Sequence, residues 1–141
     1  MSEYIDEFQS RFIGIMQWDD CNSLLQKLIN NPSDWYLYNT LNTVPNEIID
    51  SNLFIDKINT IKDILTNEHQ ERYCGIVYAD DLENPSFVKI FHPGNLGKSC
   101  GSSENPPLPQ WLLSKTQPVD VVEKFGAPEQ EQGFISKYLK F

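Results

Sequence analysis

Two short runs set the architecture: Tyr73-Cys74-Gly75-Ile76-Val77-Tyr78-Ala79 and Phe87-Val88-Lys89-Ile90-Phe91. Both are rich in β-branched and aromatic residues and too short for a typical helix. The connection, Asp80-Asp81-Leu82-Glu83-Asn84-Pro85-Ser86, is polar and carries a proline, as a turn does. The pattern predicts an antiparallel hairpin over residues 72–91, with Val77 opposite Ile90. A lone hairpin is marginal in water and needs a further strand or a helix. Trp111-Leu112-Leu113-Ser114 is the expected third strand.

Upstream, residues 2–66 read as helical. Ser2 caps a first helix in this reading, with Ile5, Phe8, Phe12 and Ile15 at helical spacing. Asp19 or Asp20 caps a second, with Cys21, Leu24, Leu25, Leu28 and Ile29 as its stripe and Asn30-Asn31-Pro32 as its end. Ser33 or Asp34 starts a third, short helix carrying Trp35, Tyr38 and Leu41. A fourth runs from about Asn52 to Thr66, with Phe54, Ile58, Ile61 and Leu65 on one face. Downstream, Pro118 to Phe125 and the Phe134, Ile135, Tyr138, Leu139 pattern suggest short C-terminal helices. The expectation is one α+β domain over residues 1–141: about four N-terminal helices packed on a small antiparallel sheet.

The chain has 141 residues, 20 of them acidic and 11 basic, for a formal charge of −9. That field disfavours nucleic acid, whose phosphates need a basic surface, and anionic membranes. Acid stands at the N-terminus where a secretory signal carries Lys or Arg, and no run reaches the ~20 apolar residues of a membrane span. A cytoplasmic location is expected. The three cysteines, Cys21, Cys74 and Cys100, are odd in number and too widely spaced for a disulfide framework.

The segment from His92 to Pro107 is a long Gly/Ser/Pro loop, and loops of that length are often functional. Gly97-Lys98-Ser99 resembles the end of a phosphate loop, but His92 stands where the first glycine belongs and no helix pattern follows. Gly94, Gly97 and Gly101 leave a weaker option, an anion nest of backbone N–H groups. A thiol reading places Cys100 as nucleophile, Lys98 as the cation lowering its pKa and His92 as base. Cys74, His92 and Cys100 are the weak metal candidates, with His69, Cys21 or water as a fourth ligand; they match no zinc signature. The expectation is therefore no metal and no cofactor. Asp19-Asp20 and Asp80-Asp81 are assigned to capping and to the turn, not to acid/base chemistry.

Trp18, Trp35, Tyr36, Tyr38 and Trp111 are more aromatics than strand alternation requires, and Trp and Tyr are favoured at interfaces. The reading is a non-catalytic protein-binding module of adaptor, chaperone or inhibitor type, with acidic charge steering it to a basic partner. Its expected binding face comprises Gly94, Gly97, Lys98, Ser99 and Trp111. The alternative is a small thiol- or metal-dependent enzyme or sensor centred on the His92–Ser103 loop.

Overall fold

The computed structural model describes residues 3–69, 71–95 and 108–125. In chain order these form α1 (Glu3–Phe8), β1 (Ile13–Ile15), α2 (Trp18–Asn30), β2 (Tyr36–Asn39), α3 (Ser51–Glu68), β3 (Val77–Ala79), β4 (Phe87–Ile90), a 3-10 turn (Pro93–Asn95), β5 (Trp111–Ser114) and α4 (Val121–Phe125). The strands make one five-stranded sheet in the order β1-β3-β4-β5-β2, antiparallel at each pairing. The fold is thus α+β. The predicted C-terminal helix around Phe134–Leu139 lies outside the described residues.

The hairpin forms in the expected register, with Val77 opposite Ile90, and β5 joins it at β4 with Trp111 opposite Ile90. Asp80 and Asp81 build the turn. The Asp80 carboxylate accepts from Ser86 N (2.9 Å), Phe87 N (3.1 Å) and Ser86 Oγ (2.6 Å). Asp81 accepts from Glu83 N (2.7 Å) and Asn84 N (3.1 Å), and these bonds hold its carboxyl below the ordinary range.

Two segments read as helix are strands. α1 stops at Phe8, where Ser10 Oγ donates to the Glu7 carbonyl (2.7 Å), and Ile13-Gly14-Ile15 becomes β1. Helical spacing of Phe12 and Ile15 misleads here because Gly14 is a poor helix residue, and the Tyr78 ring sits where a Cβ at Gly14 would point, 2.9 Å away. Asp34 caps no helix: it takes the left-handed conformation, φ 68°, which Asp tolerates better than most residues. That bend releases Tyr36–Asn39 as β2, a run whose aromatics suit a pleated surface. Both N-terminal strands complete the sheet, one at each edge, so the helical half does not simply lie on a C-terminal sheet. α2 begins one residue before the acids proposed to cap it. Gln17 is the N-cap, without a side-chain bond, and Asp19 and Asp20 lie in the first turn, near the positive end of the helix dipole. α3 is capped by Asp50, which accepts from Asn52 N and Leu53 N (3.0 and 3.2 Å).

Alternation across the sheet sends side chains into two cores. Val77, Ala79, Val88, Ile90, Trp111 and Leu113 pack with the buried stripes of α2 and α3. Phe87 and Leu112 face the other way, onto Tyr4, Ile5 and Phe8 of α1, Val121 of α4 and Tyr38. The sheet therefore lies between α2/α3 and α1/α4. Lys89 sits on the α1/α4 side of β4, with its Nζ 4.3 Å from the Phe8 ring centre and 4.1 Å from that of Phe12.

Burial pushes the Lys89 amine down from 10.5 to about 8. The folded chain thus releases this proton before the unfolded chain does. Raising the pH from about 8 to 10.5 then favours the folded state. Thermal melts across that range are expected to show wild type gaining stability relative to Lys89→Met, which keeps the stem packing and lacks the charge. A difference that is flat with pH would contradict this.

Candidate functional site

A cleft of about 390 Å³ opens between α3 and the β2–β5 end of the sheet. β2 supplies Leu37 and Asn39, alternate residues that share one face of the strand. β5 and the residue before it supply Trp111 and Gln110, α3 supplies Lys57, Thr60, Ile61 and Ile64, and the β2–α3 connection supplies Asn42, Thr43 and Ile49. Lys57, Thr60, Ile61 and Ile64 fall at helical spacings of three, one and three along α3. The inner part of this set, Ile61, is buried under the sheet, and Lys57 and Thr60 stay exposed. Carboxamides, hydroxyls and one ammonium thus face an aliphatic and indole wall. The volume falls within the roughly 300–1,000 Å³ of small-ligand pockets.

Trp111 is the expected binding residue that the structure places in this cleft. It is 6% exposed, so it acts as a wall more than as a protruding anchor. His92 lies beside it, with ring centres 5.8 Å apart. The Gly94 N–H donates to His92 Nδ1 (2.9 Å), which leaves the ring proton on Nε2, 3.7 Å from Glu68 Oε1. Burial pushes the imidazole below its ordinary value, and the Glu68 charge opposes that shift. With Nδ1 occupied, His92 offers no free acceptor nitrogen to serve as a base. Gly94 stands in the 3-10 turn and holds this tautomer. Gly97, Lys98, Ser99 and Cys100 lie outside the described residues.

Cys74 lies in the α2/α3 core, as does Cys21 of α2, and both are free, buried thiols. His69, 5% exposed, donates from Nε2 to the carbonyls of Cys74 (2.7 Å) and Tyr73 (3.2 Å). The Trp18 ring packs on the His69 imidazole at 5.5 Å between centres. Among the described residues no group of three or more His, Cys, Asp or Glu side chains is arranged to hold a metal. No helix among them is long and apolar enough to cross a membrane.

Asn39, Asn42, Lys57 and Thr60 carry no local pattern that marks them as site residues. They are ordinary polar surface positions until β2 is recognised as a strand, and their convergence is long-range. The burial of Cys21 was legible, since it belongs to the apolar stripe of α2. No family model matches the chain, and no curated protein or solved structure gives a match.

Removing the Glu68 charge leaves burial as the dominant influence on His92. Glu68→Gln is expected to lower the His92 pKa further, read from the ring resonances in an NMR pH titration. An unchanged or raised value would mean that the carboxylate does not act on the ring.

Proposed function

We propose that this protein is a non-catalytic protein-binding module, of adaptor, chaperone or inhibitor type, whose partner presents a basic surface to the cleft beside Trp111. The observation that carries the reading is the mixed lining of that cleft. Leu37, Ile49, Ile61, Ile64 and Trp111 offer an apolar wall, and Asn39, Asn42, Thr43, Thr60 and Lys57 offer donors and acceptors along its mouth. Such a lining suits reversible contact, in which the apolar wall supplies affinity and the polar groups fix orientation.

Charge supports a basic partner. Glu47, Asp50, Asp56 and Asp63 are exposed on α3 and the connection before it, and the whole chain carries −9. Acidic flanks speed encounter with a cationic surface and set register. Lys57, the cation among the lining residues, is placed to donate to a carbonyl of the incoming segment. The cytoplasmic expectation belongs with this reading. The alternative, a thiol- or metal-dependent enzyme centred on residues 92–103, draws no support from His92, whose ring is already engaged by Gly94, Glu68 and Trp111.

The test fills the cleft from its exposed rim. Thr60→Arg and Asn42→Arg alter surface positions and are expected to leave the melting temperature unchanged. Each is expected to weaken a partner isolated with the wild-type chain by about tenfold, or about 1.4 kcal/mol. The wild-type association rate should fall as salt rises. Binding indifferent to both substitutions and to salt would overturn the reading.

A further inference from the structure

The cleft beside Trp111 continues into apolar surface that the described residues leave open. Leu53 lies on the same face of α3 as Lys57, Thr60 and Ile64, at helical spacing, and it is 46% exposed. Leu41 and Ile48, also exposed, directly precede the lining residues Asn42 and Ile49 in the chain. The surroundings are acidic: between residues 47 and 63, Glu47, Asp50, Asp56 and Asp63 stand against Lys57 and Lys62. A second group of exposed apolar residues, Ile13, Met16 and Tyr73 near β1, adjoins the chain's two arginines. These are Arg11 and Arg72, and Arg72 lies over the Tyr73 ring at 5.8 Å.

The described chain ends at Phe125, on the other side of the strand that carries the cleft. Tyr38 and Val121 are buried in one core, and Val44 and Phe125 pack against it. The Tyr38 hydroxyl donates to Asp120 Oδ1 (3.5 Å). In β2, Tyr38 alternates with Leu37 and Asn39, which line the cleft, and Thr43, next to Val44, lines it too. β2 is an edge of the sheet, so chain leaving α4 can pass round it without crossing another strand. Residues 126–133 are eight links that reach at most about 26–29 Å, well beyond the roughly 10 Å between packed layers. After them comes Phe134-Ile135-Ser136-Lys137-Tyr138-Leu139-Lys140-Phe141, with five apolar or aromatic residues, two lysines and no acid.

We propose that residues 134–141 occupy the cleft beside Trp111 in the free protein, so that a partner has to displace them. The segment matches the surface in two respects. Its apolar residues suit the wall of Leu37, Ile64 and Trp111 and the exposed Leu53 beyond it. Lys137 and Lys140 suit the acidic rim, whereas the β1 group, with Arg11 and Arg72, would repel them. A tether of this length holds the segment near the cleft at an effective concentration of about a millimolar. Contacts too weak to retain a free peptide then keep the cleft mostly filled. A partner's apparent affinity falls in proportion to the fraction of chains that are open. That competition rests on the protein-binding reading above; the docking of the segment does not.

The test uses the full chain with Cys100→Ser and Ser136→Cys, and a nitroxide attached at position 136; Cys21 and Cys74 are buried and do not compete for the label. Paramagnetic broadening of NMR resonances is expected to be strongest at Asn39, Thr43, Thr60 and the Trp111 indole, and weakest at Ile13 and Gly14 on the opposite edge of the sheet. Adding Lys137→Glu and Lys140→Glu should abolish the pattern, and high salt should weaken it. The same pair of charge reversals in the unlabelled chain should tighten partner binding about tenfold. Broadening spread evenly over the surface, or centred on β1, would overturn the proposal. So would broadening that arises only between chains, seen when spin-labelled protein is mixed with isotope-labelled protein lacking the nitroxide. Loss of the docking signal with partner binding still sensitive to Thr60→Arg would sink the docking alone. Cleft broadening with partner binding indifferent to Thr60→Arg would uphold the docking and sink the protein-binding reading.

Discussion

Everything in this fold depends on the strand pair at the middle of the sheet being buried on both faces. In β4 and β5 each residue must satisfy one of two cores, and alternation assigns them without ambiguity: Val88, Ile90, Trp111 and Leu113 to one, Phe87 and Leu112 to the other. A slip of one residue would exchange the two sets. It would put Lys89 into the α2/α3 core, where none of the aromatic faces that now receive it is present. Truncating a residue such as Leu113 to Ala would cost about 2–5 kcal/mol, a large part of the net stability of a domain this size. The register is therefore held by the cores more than by the turn.

Lys89 shows how such a sheet tolerates a charge. The strand needs a residue at that position, and a lysine can pass its stem over apolar surface. Two phenylalanine faces about 4 Å from the ammonium offset part of the lost hydration. The same logic recurs at the edge, where the Lys115 ammonium lies 4.3 Å from the Trp35 ring centre and donates to the Ser33 carbonyl (2.6 Å). In both places an aromatic ring belongs to the core on one side and to a cation on the other. Of the surplus aromatics, Trp35 is accounted for in this way, without an interface.

What the sequence made legible follows physical range. The hairpin, its register and the third strand were readable because alternation and turn chemistry are local signals. α3 was readable because four buried residues, Phe54, Ile58, Ile61 and Leu65, repeat at helical spacing along it. β1 and β2 were not. Phe12 and Ile15, and Trp35 and Tyr38, are three apart, and that spacing fits a helix face or two sides of a strand equally well until the partner strands are known. The decisive residues were Gly14, which lies under the Tyr78 ring, and Asp34, which turns the backbone left-handed. Of the candidate site, Trp111, His92 and Gly94 were named from the sequence. The polar rim of the cleft was invisible because β2 carries Asn39 and leads directly into Asn42 and Thr43, and β2 was read as a helix.

The strand order has a consequence for how the chain can be made. The first two strands along the chain, β1 and β2, are the two edges of the sheet, and every strand they pair with comes after residue 76. During synthesis from the N-terminus the first half emerges with two strands that cannot pair with one another in the native sheet and three helices whose apolar faces have no sheet to cover. Productive folding has to await β3, β4 and β5, so the nascent chain carries exposed apolar surface for most of its elongation. Topologies closed by such distant contacts fold slowly and are exposed to misassembly on the way. The acidic surplus that surrounds the finished molecule is already present in that first half, where like-charge repulsion keeps neighbouring nascent chains apart.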